Sequence, residues 1–101
     1  MQGGVTHWRA LAVVRVRWTE EQTERALALY HRLSFGQMDS GNPDIIALAE
    51  AMGRTPSSVA MKLANFASLD PIITRTGRKG LTGATALDRK VWGARRKAAR
   101  D

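Results

Sequence analysis

Ser57, Ser58, Met61, Lys62 and Asn65 lie within the stretch GRTPSSVAMKLANF, and helical spacing gathers them on and beside one side of a helix. Small hydroxyl side chains allow a backbone to come close to a surface. The Asn65 amide carries the donor and acceptor that match the edge of adenine, and the Met61 thioether suits a C5-methyl group. The chemistry open to such a set is the reading of base edges in a groove, with Lys62 on the flank. A face of Ser, Ala and Met also suits packing against another protein, and the residues by themselves leave both readings open. Contacts to a phosphate backbone would come from elsewhere, since phosphate contacts position a protein and base contacts specify. Arg54 sits in the turn before the helix, and Arg75, Arg78 and Lys79 follow it on a segment containing Gly77 and Gly80.

The distribution of charge supports that division. The chain of 101 residues has 16 basic and 9 acidic residues, for a net charge of +7. Residues 1–17 hold Arg9, Arg15 and Arg17 and no acid, whereas residues 18–53 hold six carboxylates against Arg25 and Arg32. From Arg54 onward eleven bases stand against Asp70, Asp88 and Asp101. The positive field is therefore concentrated in the carboxy-terminal half, which suits a polyanionic partner.

Other classes of chemistry find little support. There is no cysteine, so disulfides and thiolate metal sites are excluded, and His7 and His31 lack the spacing of a zinc site. Arg75 to Gly80 is basic and glycine-bearing but lacks the Gly-Lys-Ser/Thr that closes a Walker loop, and no Ser-His-Asp arrangement or carboxylate cluster beside a histidine is present. The expectation is a non-enzymatic chain without cofactor or metal. No apolar run is longer than that from Ala10 to Val14, which is far below the roughly 20 residues that span a bilayer, and the amino terminus lacks a leader pattern. A cytoplasmic protein with no membrane association is expected.

The elements that would hold these residues are helical. Thr19 with Gln22 forms a capping-box pattern, and Ala26, Leu29, Tyr30 and Leu33 share one face, giving a helix over 20–33. Asn42-Pro43 starts a second helix with Ile45, Leu48, Ala49 and Met52 inward, ended by Gly53. Thr55-Pro56 starts a third, with Val59, Leu63 and Phe66 inward, after so short a turn that a helix-turn-helix is implied. Asp70-Pro71 reads as its stop, and Thr85 with Asp88 as the cap of a last helix that turns Leu87, Val91 and Trp92 inward and frays into Arg95-Arg96-Lys97. Trp18, Tyr30, Phe35 and Phe66 are expected in the core or at its margin, and His31 on the surface. The fold class is all-α: a three-helix helix-turn-helix core with a basic loop and a carboxy-terminal helix. Residues 1–17 form an extension, as a short edge strand or an arm, 18–92 the domain and 93–101 a basic tail.

Trp18-Thr19-Glu20-Glu21, Leu29-Tyr30, Asn42-Pro43-Asp44-Ile45-Ile46 and the run from Gly53 to Pro71 resemble the amino-terminal region of bacterial HNH-type restriction endonucleases. Arg78-Lys79-Gly80-Leu81, Leu87-Asp88 and Trp92 are similar to its continuation, and a looser likeness is to Myb-like three-helix domains. The resemblance implies a module that recognises double-stranded DNA, placed ahead of a metal-dependent nuclease domain in a restriction-modification setting. The histidines and zinc-ribbon cysteines of that second domain have no match here, so nuclease activity is not carried over. A truncated product, an isolated domain or a stand-alone relative is expected, partnered by DNA and by an HNH nuclease domain or a second copy of itself.

Overall fold

Three of the helices begin with the same two-residue device, a side-chain cap followed by proline. In the computed structural model, which describes residues 17–77 and 83–100 with side chains up to Arg95, the chain is all-α and no strand occurs among the described residues. The helices are α1 (Glu20–Tyr30), α2 (Pro43–Met52), α3 (Pro56–Leu69), a single turn α4 (Pro71–Thr74) and α5 (Ala86–Arg100), with a short 3-10 turn at Phe35–Gln37. Asn42 Oδ1 accepts from the backbone N–H of Asp44 and Ile45 at 2.8 and 3.3 Å. Thr55 Oγ1 accepts from Ser58 N–H at 3.1 Å, and Asp70 Oδ1 from Ile72 N–H at 2.9 Å. Proline in the first turn lacks only a donor that would have been orphaned there.

The expected capping box opens α1: Thr19 Oγ1 accepts from Gln22 N–H at 3.1 Å, and Gln22 Oε1 accepts from Thr19 N–H at 3.2 Å. The helix stops at Tyr30 rather than Leu33. Arg32 and Leu33 donate to the carbonyls of Leu29 and Tyr30, three residues back, so the end tightens into a turn. Gly53 closes α2 at φ 68°, a left-handed conformation that side chains disfavour, and Arg54 N–H then reaches the Ala49 carbonyl at 2.8 Å. Only Gly53, Arg54 and Thr55 separate α2 from α3.

α3 is the central element, packed on α1, α2, α4 and α5. Its Val59, Leu63 and Phe66 are fully buried with Leu27 of α1 and Ile45 of α2, while Ala26, Ala49 and Ala67 let the backbones approach. Each large side chain so buried stabilises the fold by about 1.5–3 kcal/mol. Trp18, Leu33, Phe35 and Trp92 pack at the margin.

Two further expectations are revised. Asp70-Pro71 ends α3 but also starts α4, since a capping aspartate followed by proline is a start signal as much as a stop. The last helix does not fray at Arg95 but runs to Arg100. Residues 1–16, which carry most of the expected strand or arm, and Arg78 and Lys79 lie outside the described residues; Arg17 and Trp18 have no regular structure.

Candidate functional site

Seen along its axis, α3 leaves one narrow strip to solvent. Ser57 is exposed and Met61 is 58% exposed, with the half-buried Ala60, Ala64 and Ser68 completing the strip. Ser58, half-buried, lies in the capped first turn, where its N–H is held by Thr55. Ser57 and Met61 are thus brought together on an open face, as their spacing implies.

The cations expected beside this strip are turned elsewhere. Lys62 is 6% exposed: its ammonium lies 2.8 Å from Asp88 Oδ1, and Asp88 itself is fully buried at the start of α5. Lys62 is therefore a bolt between α3 and α5 and not a surface contact to phosphate. A buried charge demands a partner, and the partner stands 26 residues away in sequence. Asn65 is half-buried on the same flank, with its Nδ2 3.4 Å from Asp88 Oδ2 and with Gly83 beside it. Its amide is turned toward α5, not held out for a base edge. Arg54 folds back over the chain: its Nη2 donates to the Arg17 carbonyl and to Gln22 Oε1, both at 2.9 Å, and its guanidinium carbon stands 4.4 Å from the Trp18 ring centroid. Lys62 Nζ lies 4.9 Å from the same centroid. Trp18 therefore takes two cations and fastens the start of α1 to the turn before α3. Of the expected phosphate contacts that the structure describes, Arg75 alone is exposed, just after α4.

Asp88 carries three loads at once. Besides Lys62 and Asn65, it caps α5, since Oδ2 accepts from Thr85 N–H at 3.0 Å while Thr85 Oγ1 accepts from Asp88 N–H at 3.1 Å. The Thr-x-x-Asp pattern gave the cap, whereas neither contact to α3 left any local trace.

No family model, curated protein or solved structure matches the chain. The geometry alone therefore bears on what this face does.

A second cluster joins α1, α3 and α5. Trp92 stacks on Phe66 with centroids 6.2 Å apart and on His31 at 5.8 Å, and meets Tyr30 edge-on at 5.8 Å. His31 is thus an exposed residue whose ring covers Trp92. Burial first, and then the charge of Arg95, lowers its pKa, with Asp70 opposing. Tyr30 Oη donates to Asp70 Oδ2 at 2.7 Å, tying α1 to the junction of α3 and α4. Burial, then the hydrogen bond to Asp70 and its charge, pushes the phenol well above its ordinary value of 10.0. The folded state holds this proton more tightly than the unfolded chain. Its contribution is full below pH 10 and is lost as the pH climbs further. Tyr30→Phe is expected to cost about 1.5 kcal/mol at neutral pH, as for a hydrogen bond to a charged group. Thermal melts should show this gap between the two proteins narrowing above pH 10; a gap that widened there would contradict the assignment.

Proposed function

We propose that this chain is a cytoplasmic DNA-binding module of the helix-turn-helix kind, similar in role to the targeting region of an HNH restriction endonuclease. The observation that carries the reading is the Ser57–Met61 strip of α3, small and open, following a three-residue turn closed by left-handed Gly53. A strip of small side chains with Met61 as its one long and uncharged member lets the helix backbone enter a major groove, where hydroxyl and thioether groups meet base edges. Affinity then comes from bases off the strip, in keeping with the surplus of positive charge after Gly53.

A second reading has one observation in its favour. Met61, at 58% exposure, is an apolar side chain in the middle of that strip and would suit a protein partner, a second copy included. Selection of bound duplexes from a random pool separates the two. DNA reading predicts an enriched motif, and Met61→Ala should relax preference at one base pair by about 1 kcal/mol, the scale of one buried methyl contact, while leaving the rest of the motif intact. A pool that stays random, together with a Met61-dependent dimer by sedimentation, would establish the interaction reading instead.

A further inference from the structure

Between Trp18 and Gly53 the chain has two arginines and no lysine, and both arginines, Arg25 and Arg32, border the same cleft. The cleft lies between α1 and α2, measures about 390 Å³ and is lined by small or apolar side chains, Ala28 and Leu29 from α1 and Ala47, Leu48 and Ala51 from α2. The outer stripe of α1 runs beside it, from Glu21 through Arg25 and Ala28 to Arg32 in the turn that closes the helix. Steps of four, three and four residues keep these positions within about 60° of arc, which is the seam of a two-helix pairing. Glu21, Arg25 and Arg32 are exposed and Ala28 is half-buried. Among the described residues Glu21 and Arg25 have no ion-pair partner, and Arg32 stands 3.9 Å from Asp44, too far for a hydrogen bond.

We propose that this stripe is the seam of an antiparallel homodimer, with α1 of a second copy laid along α1 at the edge of the cleft. The spacing is the same read in either direction, so an antiparallel copy sets Glu21 of each chain against Arg32 of the other. In the same register the apolar stem of Arg25 crosses Ala28 of the second copy, a long side chain over a small one. A parallel pairing would instead set Glu21, Arg25 and Arg32 each against itself, like charge on like. The antiparallel contact is isologous and closes at two chains. Ala47 and Ala51, exposed on the α2 side of the cleft, leave room for the second helix to come close. The Arg32 guanidinium has donors to spare for a second carboxylate beside Asp44. A nucleic-acid strand suits this face poorly, because Glu21, Glu24 and Asp44 are exposed there and would repel its phosphates. The Ser57–Met61 strip contributes no residue to the cleft, so the dimer goes beyond the DNA-binding reading and does not rest on it.

Sedimentation of the full chain at millimolar concentration and low salt tests the dimer. Wild type should associate, and less so at high salt, since exposed charges are screened. Glu21→Arg and Arg32→Glu each turn both cross-pairs into like-charge contacts, and each should raise the dimer dissociation constant at least about 10-fold. An equal mixture of the two variants should recover a heterodimer of near wild-type affinity, because one variant then offers only bases at these positions and the other only acids. Circular dichroism checks that each variant is folded. Should a reversal unfold the chain, Glu21→Gln or Arg32→Gln takes its place and must still weaken the dimer. Wild type that stays monomeric would overturn the dimer and leave the DNA-binding reading standing. A dimer that the reversals leave unchanged would overturn the seam too, and its loss on Met61→Glu would move the contact to the α3 strip. So would folded variants whose mixture stays monomeric, since the cross-pairing would then not be what joins the chains.

Discussion

Replacing Lys62 by methionine is expected to lower the stability of the fold by about 3–5 kcal/mol, because it strands the fully buried carboxylate of Asp88 without its ammonium partner. For a domain of this size that is a fall in melting temperature of at least about 10 °C. Asp88→Ala should be more damaging still, since the cap of α5 and the contact to Asn65 go with the charge. Combining Lys62→Met with Asp88→Asn removes both charges but keeps an acceptor for Thr85 N–H. That double variant should recover most of the loss, as replacement of buried ion pairs by uncharged groups of similar size commonly does. A double-mutant cycle by chemical denaturation measures the coupling directly. The recovered variant also decides the functional role of Lys62. With its ammonium held under α5, duplex affinity and salt slope should match wild type; a slope shallower by about 0.9 would mean that Lys62 neutralises a phosphate after all.

How much of this was legible in the sequence depends on the range of the interaction concerned. Caps act over two or three residues, so Thr19 with Gln22, Asn42-Pro43, Thr55-Pro56 and Thr85 with Asp88 announced the helix starts, and Gly53 announced the end of α2. Inward stripes were equally readable, because Ile45, Val59, Leu63 and Phe66 follow the helical period. Asp70-Pro71 is only half-legible: it is the same cap-and-proline pair that opens α2 and α3, but directly after a helix it signals a stop as strongly as a start, and a single turn leaves no apolar stripe to reveal α4. The site was less legible than the fold. Whether Lys62, Asn65 and Arg54 face solvent or a neighbouring element is decided by where α5 and Trp18 pack, and those are partners more than twenty residues distant. A projection of α3 alone gives the angle of each side chain but not what lies across from it. That α5 continues past Arg95 was not legible either, since its run of bases reads as a tail when nothing local shows the helix going on.

Trp92→Ala should then separate the mounting of α5 from its charge. The indole is stacked on Phe66 and His31 and edge-on to Tyr30, and with Val91 it provides the last packing contacts among the described side chains of α5. Its half-buried state puts the expected cost at about 3 kcal/mol, the low end for a tryptophan truncated to alanine. Loss of packing matters more to this helix than to α3, because helices shorter than about 12–15 residues are marginal in water without tertiary support. The positions of Arg96 and Arg100 lie one to two turns beyond Trp92, so weakening the stack should also lower helicity by circular dichroism. Duplex affinity should fall with it although no charge has been removed, since phosphate contacts strung along an unfolded segment must first be ordered. Trp92→Phe keeps an aromatic ring against Phe66 and should restore most of both properties. If Trp92→Ala melts within a degree of wild type, the aromatic cluster does not hold α5. If it loses helicity yet binds duplex as tightly as before, the helical geometry of α5 is irrelevant to binding.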